Sequence, residues 1–331
     1  MKNLLNKLLE SRSLHREEAS RLMHGIASGQ LNETQMAAVL TSFIMRSISL
    51  DELMGFREAL LELAIQPRLN NGDIIDLCGT GGDGKNTFNI STLSAFVVAG
   101  SGIPVAKHGN YGVSSMSGSS NVMEQLGYKF SNDEGKLQAE LEDTGICFMH
   151  APLFHPALKA VGGVRRQLGI KSFFNILGPL VNPANPCYQA SGVFNLETGR
   201  IYSYLLQKEN KEFRVIHSMD GYDEVSLTAH TRIFSPRGES LLKEDDFGLE
   251  TNRPEELFGG KDLDEAVGIF LRVLKDEATP AQKNAVAANA AIAIECYKKN
   301  ISLRDAVAAA MESIQSRKAF QTFENLINSQ K

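Results

Sequence analysis

The sequence has 331 residues, 43% hydrophobic and 22% charged, a composition typical of a globular protein with room for about two domains. The 34 basic and 39 acidic residues give a net charge of −5, which argues against nucleic acid or an anionic membrane as partner. No apolar run reaches the roughly 18 residues of a membrane span. The four cysteines are far apart, so we expect free thiols in a cytoplasmic protein.

Residues 1–68 predict a helical domain. Four leucines in the first nine residues form one apolar stripe, as on an amphipathic helix. Two later helices begin at capping boxes, in which a polar side chain caps the helix and a residue three positions later caps back. These boxes are Asn32–Gln35 and Ser49–Glu52. Pro67 and the Asn-Asn-Gly cluster at 70–72 then break the helical pattern, so we place a domain boundary there.

Residues 72–331 predict an α/β domain with a mainly parallel central sheet. Apolar runs at 74–78 and 103–106 are typical of buried strands, and helical patterns follow them at 91–100 and 120–126. Such alternation indicates right-handed crossovers between parallel strands. We expect further strands at 189–193 and 213–217, and C-terminal helices beginning at Thr279 and Ser302.

Glycines crowd the centre of the chain, where 11 of the 28 lie between residues 72 and 127. Residues 79–86 follow the first predicted strand, and a helix start at 89–92 comes next. Backbone N–H groups of such a turn and helix terminus can hold phosphate. A second polar loop, 107–120, follows the next strand, and the ends of neighbouring parallel strands face one crevice. One such loop alone could be only a tight connection, but two favour a ligand site.

Two other interpretations of residues 79–86 fit less well. Gly79, Gly81 and Gly84 match the dinucleotide pattern G-x-G-x-x-G, but that fold also needs an acidic residue about 20 positions later. No Asp or Glu occurs between Gly84 and Met123. A P-loop would need Ser or Thr where Asn86 stands.

Five segments in register resemble the anthranilate phosphoribosyltransferase family across nearly the whole chain. They are GTGGDGKNTFNIST (79–92), KHGN (107–110), the Ser/Gly run to 120, RRQLGIKSFFNILGPLVNP (165–183) and DGYDE (220–224). The resemblance implies a helical domain that forms a homodimer and includes part of 160–185. It also implies an α/β domain of the nucleoside phosphorylase/phosphoribosyltransferase type.

The implied reaction transfers a phosphoribosyl group from 5-phosphoribosyl 1-diphosphate (PRPP) to anthranilate, with Mg²⁺, in tryptophan biosynthesis. A non-covalent anthranilate synthase partner is compatible with it. We expect no dedicated catalytic acid or base, because the aromatic amine is already a nucleophile. Catalysis would then come from positioning and charge stabilisation.

The resemblance also implies the site residues. The donor-binding residues would be Gly79, Gly82, Asp83, Thr87, Asn89, Ile90, Ser91, Thr92, Lys107, His108, Gly109, Asn110, Tyr111, Gly112, Val113, Ser114, Ser115 and Ser119. Anthranilate would contact Gly79, Asn110 and Arg165, whose planar guanidinium suits a carboxylate. The metal ligands would be Ser91, Asp223 and Glu224, and adjacent carboxylates after a strand suit a hard cation.

Further residues are candidates for the acceptor pocket. Gly178 and Pro179 would line its entry, and we expect its wall to come from His108, His150 and His155. A histidine is more often a packed or solvated residue than a ligand contact. We therefore expect these three to form part of the pocket wall and assign none of them the role of a base.

Four positions depart from the commonest family pattern. Tyr111 and Met116 stand where Arg and Lys are expected, Asn121 where Asp is expected, and His150 where an aromatic residue is common. Two positive charges are therefore missing beside the expected polyanion site, and residues 79–120 carry only Asp83, Lys85 and Lys107 as formal charges. We interpret this as a lineage variant in which backbone N–H groups, hydroxyls and Mg²⁺ bind the donor.

Two rival functions stay open at this point. A nucleoside phosphorylase could use the same fold, and phosphorolysis of thymidine or uridine would reveal it. A non-catalytic relative could bind nucleic acid, but it would need a basic face that the net charge disfavours.

Overall fold

The chain folds into a helical bundle packed against an α/β layer. The computed structural model describes residues 1–69, 73–112, 118–169 and 171–330. The expected boundary at 70–72 lies outside these ranges, as do Val113, Ser114, Ser115 and Met116.

The described helices are α1 (Lys2–Leu9), α2 (Arg16–Ala27), α3 (Glu33–Met45), α4 (Leu50–Glu62), α5 (Ile90–Gly100), α6 (Ser119–Gln125), α7 (Glu134–Thr144), α8 (Ala151–Phe154), α9 (Pro156–Leu168), α10 (Leu196–Lys208), α11 (Glu244–Phe247), α12 (Leu263–Leu274), α13 (Pro280–Tyr297), α14 (Leu303–Gln315) and α15 (Lys318–Asn328). Short 3₁₀ helices lie at Phe173–Ile176, Gly178–Leu180 and Pro254–Leu257. The described strands are β1 (Ile75–Leu77), β2 (Val105–Gly109), β3 (Ile146–His150), β4 (Tyr188–Gly192), β5 (Glu212–Ser218), β6 (Thr231–Ser235) and β7 (Gly238–Leu242). None of these helices is both long enough and apolar enough to cross a bilayer.

The N-terminal helices begin where the sequence predicts. Asn32 accepts a hydrogen bond from the Gln35 N–H at 2.9 Å, and Ser49 accepts one from the Glu52 N–H at 3.3 Å. The apolar faces of α1–α4 share one core with α9, α10 and the inner face of β5. The bundle is therefore anchored directly on the sheet.

The described strands form one sheet in the order β3-β2-β1-β4-β5-β6-β7. The first five strands pair in parallel, and β6 and β7 add an antiparallel hairpin at one edge. The prediction of a mainly parallel sheet is thus confirmed. The alanine-rich α13, which begins at the predicted Thr279 cap, is buried over one face. Because the strands are parallel, the loops after β1, β2, β4 and β5 leave the same edge of the sheet.

Two buried histidines meet where the sheet joins the bundle. The ring of His108, on β2, lies 5.4 Å from the ring of His155, the residue before α9. Burial lowers the pKa of His108 from 6.5 to about 3 and the pKa of His155 from 6.5 to about 4. Both imidazoles are therefore neutral at pH 7, and protonating either one opposes folding.

We predict that acid destabilises the protein through this pair. The unfolded chain protonates these two histidines near pH 6.5 but the folded chain does not, so their contribution to stability is full above pH 6.5 and falls as the pH drops. Each histidine then removes about 1.4 kcal/mol per pH unit, until the folded pKa is reached. The free energy of unfolding can be measured with urea at pH 7.5 and at pH 5. Between these two pH values, the loss in His155→Gln should be smaller than the loss in the wild type by about 2 kcal/mol. The same loss in both proteins would contradict the prediction. Measurements between pH 7.5 and 8.5, where both imidazoles are neutral, are the internal control.

Candidate functional site

One cleft of about 270 Å³ opens at the carboxyl edge of the sheet, facing the bundle. Every described residue that was predicted to bind the donor, anthranilate or the metal lines it. They are Gly79, Gly82, Asp83, Thr87 and Asn89–Thr92 from the first loop, Lys107–Gly112 and Ser119 from the second, and Arg165, Asp223 and Glu224. Gly178 and Pro179 also line the cleft, whereas His150 and His155 lie outside it. Of the three histidines expected in the wall, only His108 reaches the cleft, because His155 packs behind it.

The glycine loop after β1 turns sharply through conformations that suit glycine. Gly81, Gly82 and Gly84 have φ angles of +63°, +81° and +76°, a region that L side chains rarely adopt. The turn places the Gly81 N–H 2.7 Å from the Asp223 carboxylate. From the opposite wall, Lys171 donates a hydrogen bond to the Gly82 carbonyl. The loop is thus fixed by contacts on both sides of the cleft.

Unused hydrogen-bonding groups surround the start of α5. The hydroxyls of Thr80 and Thr92 are buried and have no partner among the described residues. Lys107 is only 2% exposed; its ammonium donates to the Leu77 carbonyl and lies 3.4 Å from the Ser91 hydroxyl. A helix N-terminus with free hydroxyls and one buried cation is suited to an anionic ligand.

The acidic pair lies beside this helix start. Asp223 is buried and Glu224 half-buried. Glycine at 192 is required here, because a Cβ would lie 1.5 Å from the Asp223 carbonyl oxygen. The Ser218 hydroxyl donates to the Glu224 carbonyl at 2.6 Å, and Asn289 on α13 accepts from the Val225 N–H at 2.9 Å. The pair is therefore held rigidly at the edge of the sheet.

Crowded carboxylates make this corner electrostatically unfavourable. Burial, followed by the nearby charge of Asp83, raises the pKa of Asp223 to about 7. Burial and Asp223 raise the pKa of Glu224 well above its ordinary value, while Lys107 opposes that rise. A divalent cation would relieve this repulsion. Within the described ranges, no three His, Cys, Asp or Glu side chains form a closed metal cage, so a cation here would complete its shell with ligand oxygens and water, as Mg²⁺ commonly does.

The opposite wall presents an unpaired cation. The Arg165 guanidinium lies 5.4 Å from the ring centroid of Phe174, and burial lowers its pKa. It forms no salt bridge with any described residue. Nearby, His108 Nδ1 lies 2.8 Å from the Gly178 carbonyl oxygen. Because a carbonyl only accepts, Nδ1 carries the proton and Nε2 is a bare acceptor. This wall therefore fits a carboxylate attached to a flat ring.

The departures from the family pattern have a local explanation. The Tyr111 hydroxyl donates to Glu124 at 2.7 Å, and its ring packs edge-on against His150 at 4.8 Å. The Asn121 side-chain oxygen accepts from the N–H groups of Gly112 and Gly118 at 3.0 and 3.1 Å. A neutral amide thus joins Gly112 to Gly118 within the second loop, with the side-chain oxygen that an aspartate would also use.

Sequence reasoning assigned no role to several residues of the cleft. Phe174, Asn175 and Leu177 line it, and Lys171 reaches the glycine loop. All four lie within residues 165–183, one of the five segments that resemble the family, and this resemblance is the sequence feature that points to them. Two apolar residues, one asparagine and one lysine have no chemical pattern of their own, so only the folded chain shows their position.

Comparison with known proteins agrees with this arrangement. The helical bundle domain of a glycosyl transferase family matches residues 2–64, and the α/β domain of the same family matches residues 71–320. The anthranilate phosphoribosyltransferase of Flavobacterium johnsoniae is 52% identical over 326 residues, 98% of each chain. That of Cytophaga hutchinsonii is 51% identical and covers 99% of this chain and 100% of its own.

Solved structures that resemble this chain are also anthranilate phosphoribosyltransferases. The anthranilate phosphoribosyltransferase of Thermus thermophilus superposes with a TM-score of 0.92 at 32% identity, covering 99% of both chains. The Saccharomyces cerevisiae enzyme in complex with PRPP and Mg has a TM-score of 0.92 at 25% identity, covering 99% of this chain and 97% of its own. The chain therefore belongs to the anthranilate phosphoribosyltransferase family of glycosyl transferases.

Proposed function

We propose that this protein transfers the phosphoribosyl group of PRPP to the amine of anthranilate, releasing pyrophosphate, as a step of tryptophan biosynthesis. The observation that carries the proposal is the composition of the cleft. It combines an anion cradle, formed by the glycine loop 79–86 and the start of α5, with the partly buried pair of Asp223 and Glu224. On the opposite wall lies Arg165, which forms no salt bridge with any described residue. Relatives about 50% identical over the full chain carry the name of this activity.

Donor binding is assigned to the cradle. The start of α5 lines the cleft, as does Thr80, and the hydroxyls of Thr80 and Thr92 have no partner among the described residues, so these hydroxyls are proposed to donate to the phosphates. We assign phosphate neutralisation to Lys107, which is already desolvated and therefore interacts strongly. Val113, Ser114 and Ser115 keep their assignment to the donor, although they lie outside the described residues.

Ser91, Asp223 and Glu224 are the residues proposed to hold Mg²⁺. They offer hard oxygen ligands, and the raised pKa values of the two carboxyl groups reflect a negative charge that a cation would stabilise. The relative from Saccharomyces cerevisiae has been solved with PRPP and Mg. Bound Mg²⁺ would stabilise the charge of the departing diphosphate.

Acceptor binding is assigned to Arg165 on the opposite wall, which would pair with the carboxylate, and to Asn110 and Gly79 of the two loops, which would contact the same ligand. The C1–oxygen bond to the diphosphate breaks as the amine nitrogen bonds C1 from the other face, which inverts that carbon. The amine then loses a proton to solvent. No side chain needs to act as a base, and the two walls contribute by positioning the reactants.

The wider setting is also proposed. Leu9, Ile44 and Met45 are exposed at the ends of α1 and α3, and this apolar surface supports a homodimer formed through the bundle.

We keep the division into a helical domain (1–68, with part of 160–185) and an α/β domain (72–331). The four cysteines form no disulfide, which supports a cytoplasmic location. A non-covalent anthranilate synthase partner is compatible with a shared intermediate.

The direct test is an assay of the purified protein with PRPP, Mg²⁺ and anthranilate. We expect loss of anthranilate fluorescence that requires PRPP, with pyrophosphate released in equal amount. No loss over a broad range of concentrations would contradict the proposal. Phosphorolysis of thymidine or uridine in its place would support the nucleoside phosphorylase alternative.

Arg165 and its neighbour Arg166 form a matched pair for testing the acceptor site. Arg165→Met should raise the KM for anthranilate by about 30-fold or more, because a charge-assisted bidentate contact is lost. The KM for PRPP should change less than threefold. Arg166→Met removes an exposed arginine from the same helix and should leave both constants unchanged. Equal effects of the two substitutions would refute the assignment.

The acidic pair has a matched control on the surface. The double variant Asp223→Asn with Glu224→Gln should lower kcat/KM by about a thousandfold and abolish its dependence on Mg²⁺ concentration. Glu142→Gln with Asp143→Asn neutralises an exposed adjacent pair on α7 and should retain wild-type kinetics. Mg²⁺-dependent turnover in the first variant would show that the ligands lie elsewhere.

A further inference from the structure

The acceptor wall belongs to a short stretch, residues 173–181, whose backbone is held in an unusual way. We refer to it as the wall segment. Four of its carbonyl groups accept hydrogen bonds from side chains on four different elements, α10, β2, β4 and α4. The pairs, in that order, are Tyr202–Ile176, His108–Gly178, Gln189–Pro179 and Arg57–Leu180.

The donors of these bonds are shielded from water. Tyr202, His108, Gln189 and Arg57 are 0, 2, 3 and 5% exposed. A buried donor or acceptor that loses its partner cannot replace it with water, so each bond strongly favours a single position of the wall segment. Arg57 also pairs with Glu209 at 3.1 Å, which keeps its charge compensated while its Nε donates to Leu180 at 2.9 Å.

The wall segment in turn determines the shape of the cleft. Its Phe174 ring lies under the Arg165 guanidinium, and its Gly178 and Pro179 line the cleft. On its other side, Phe173 stacks on Phe56 of α4, with ring centroids 4.6 Å apart. A shift of the wall segment would therefore move both the proposed carboxylate-binding arginine and the surface proposed to face the acceptor ring.

We propose that Arg57, Gln189 and Tyr202 are positioning residues for the aromatic acceptor. None of them lines the cleft. They act by holding the wall segment at the distance that a planar aminobenzoate requires, and so they set both its affinity and the ring substituents that are accepted. This inference rests on the proposed function, because it takes anthranilate as the acceptor.

Tyr202→Phe is the most conservative test, since it removes one hydroxyl. Tyr128→Phe is its control, because Tyr128 is 2% exposed and donates to Glu140 at 2.6 Å, away from the wall segment. Both variants should lose similar thermal stability. Tyr202→Phe alone should raise the KM for anthranilate, by roughly three- to tenfold as expected for one buried hydrogen bond. The KM for PRPP and kcat should stay within twofold of wild type.

A second variant protects the test against a folding defect. Gln189→Met preserves length and removes the donor to Pro179. Like Tyr202→Phe, it should change the ratio of kcat/KM for anthranilate to that for 4-fluoroanthranilate by at least threefold. A role in stability alone would lower the melting temperature and leave this ratio at its wild-type value, as we expect for Tyr128→Phe.

The outcomes distinguish a failure of the positioning role from a failure of the proposed function. An active wild type whose Tyr202→Phe and Gln189→Met variants match Tyr128→Phe in KM and selectivity would overturn this inference alone. A wild type that transfers nothing to anthranilate would overturn the proposed function and, with it, this inference. The KM change without a kcat change, together with altered selectivity, would support the inference.

Discussion

The structure concentrates negative charge where the proposed substrate is itself negative. Asp83, Asp223 and Glu224 meet at one edge of the sheet, and burial together with mutual repulsion raises the pKa of Asp223 and Glu224. Buried like charges are unfavourable unless a proton or a cation compensates them. A cation bound to these carboxyl groups would compensate their charge and would also attract the diphosphate of the proposed donor. The proposed donor site therefore depends on Mg²⁺ held between two anionic groups, with Lys107 and backbone N–H groups supplying the remaining attraction.

This arrangement explains how an acidic chain can bind a polyanion. Residues 79–120 carry only Asp83, Lys85 and Lys107 as formal charges, so the proposed recognition is by oriented dipoles instead of a basic surface. Tyr111 and Asn121 are likewise neutral side chains at positions where the family commonly has a charged one. Asn121 joins the ends of the second loop with a neutral amide, and Tyr111 packs on His150. The net charge of −5 is thus compatible with binding a small phosphate ester.

The helical bundle contributes more to the cleft than its position in the sequence suggests. Through Arg57 and Phe56, α4 contacts the wall segment directly. Arg165 and the acidic pair lie on separate elements, and the bundle fixes the first of these relative to the sheet. Changes in the bundle could therefore reach the acceptor site without altering any residue that touches the substrates.

The parts that sequence alone predicts are those determined by local chemistry. Asn32, Ser49 and Thr279 cap helices because their side chains reach an N–H three residues away, and the loops of the site follow from strand polarity. The sequence pattern does not predict β3, β6 or β7. Strand β7 is an exposed edge with no apolar pattern, and the apolar runs of β3 and β6 are too short for their pattern to separate a strand from a buried helix. Lys171 and the side chains that hold the wall segment act over long distances in sequence, up to 123 residues between Arg57 and Leu180. Such contacts leave no local pattern.

Titration calorimetry of PRPP binding, with Mg²⁺ and with chelator, tests the central claim most directly. The account predicts that PRPP binds at least tenfold more tightly with Mg²⁺, about 1.4 kcal/mol, and that Asp223→Asn with Glu224→Gln removes this difference. Equal affinity with and without Mg²⁺ in the wild type, or a Mg²⁺ effect that survives in the double variant, would contradict it.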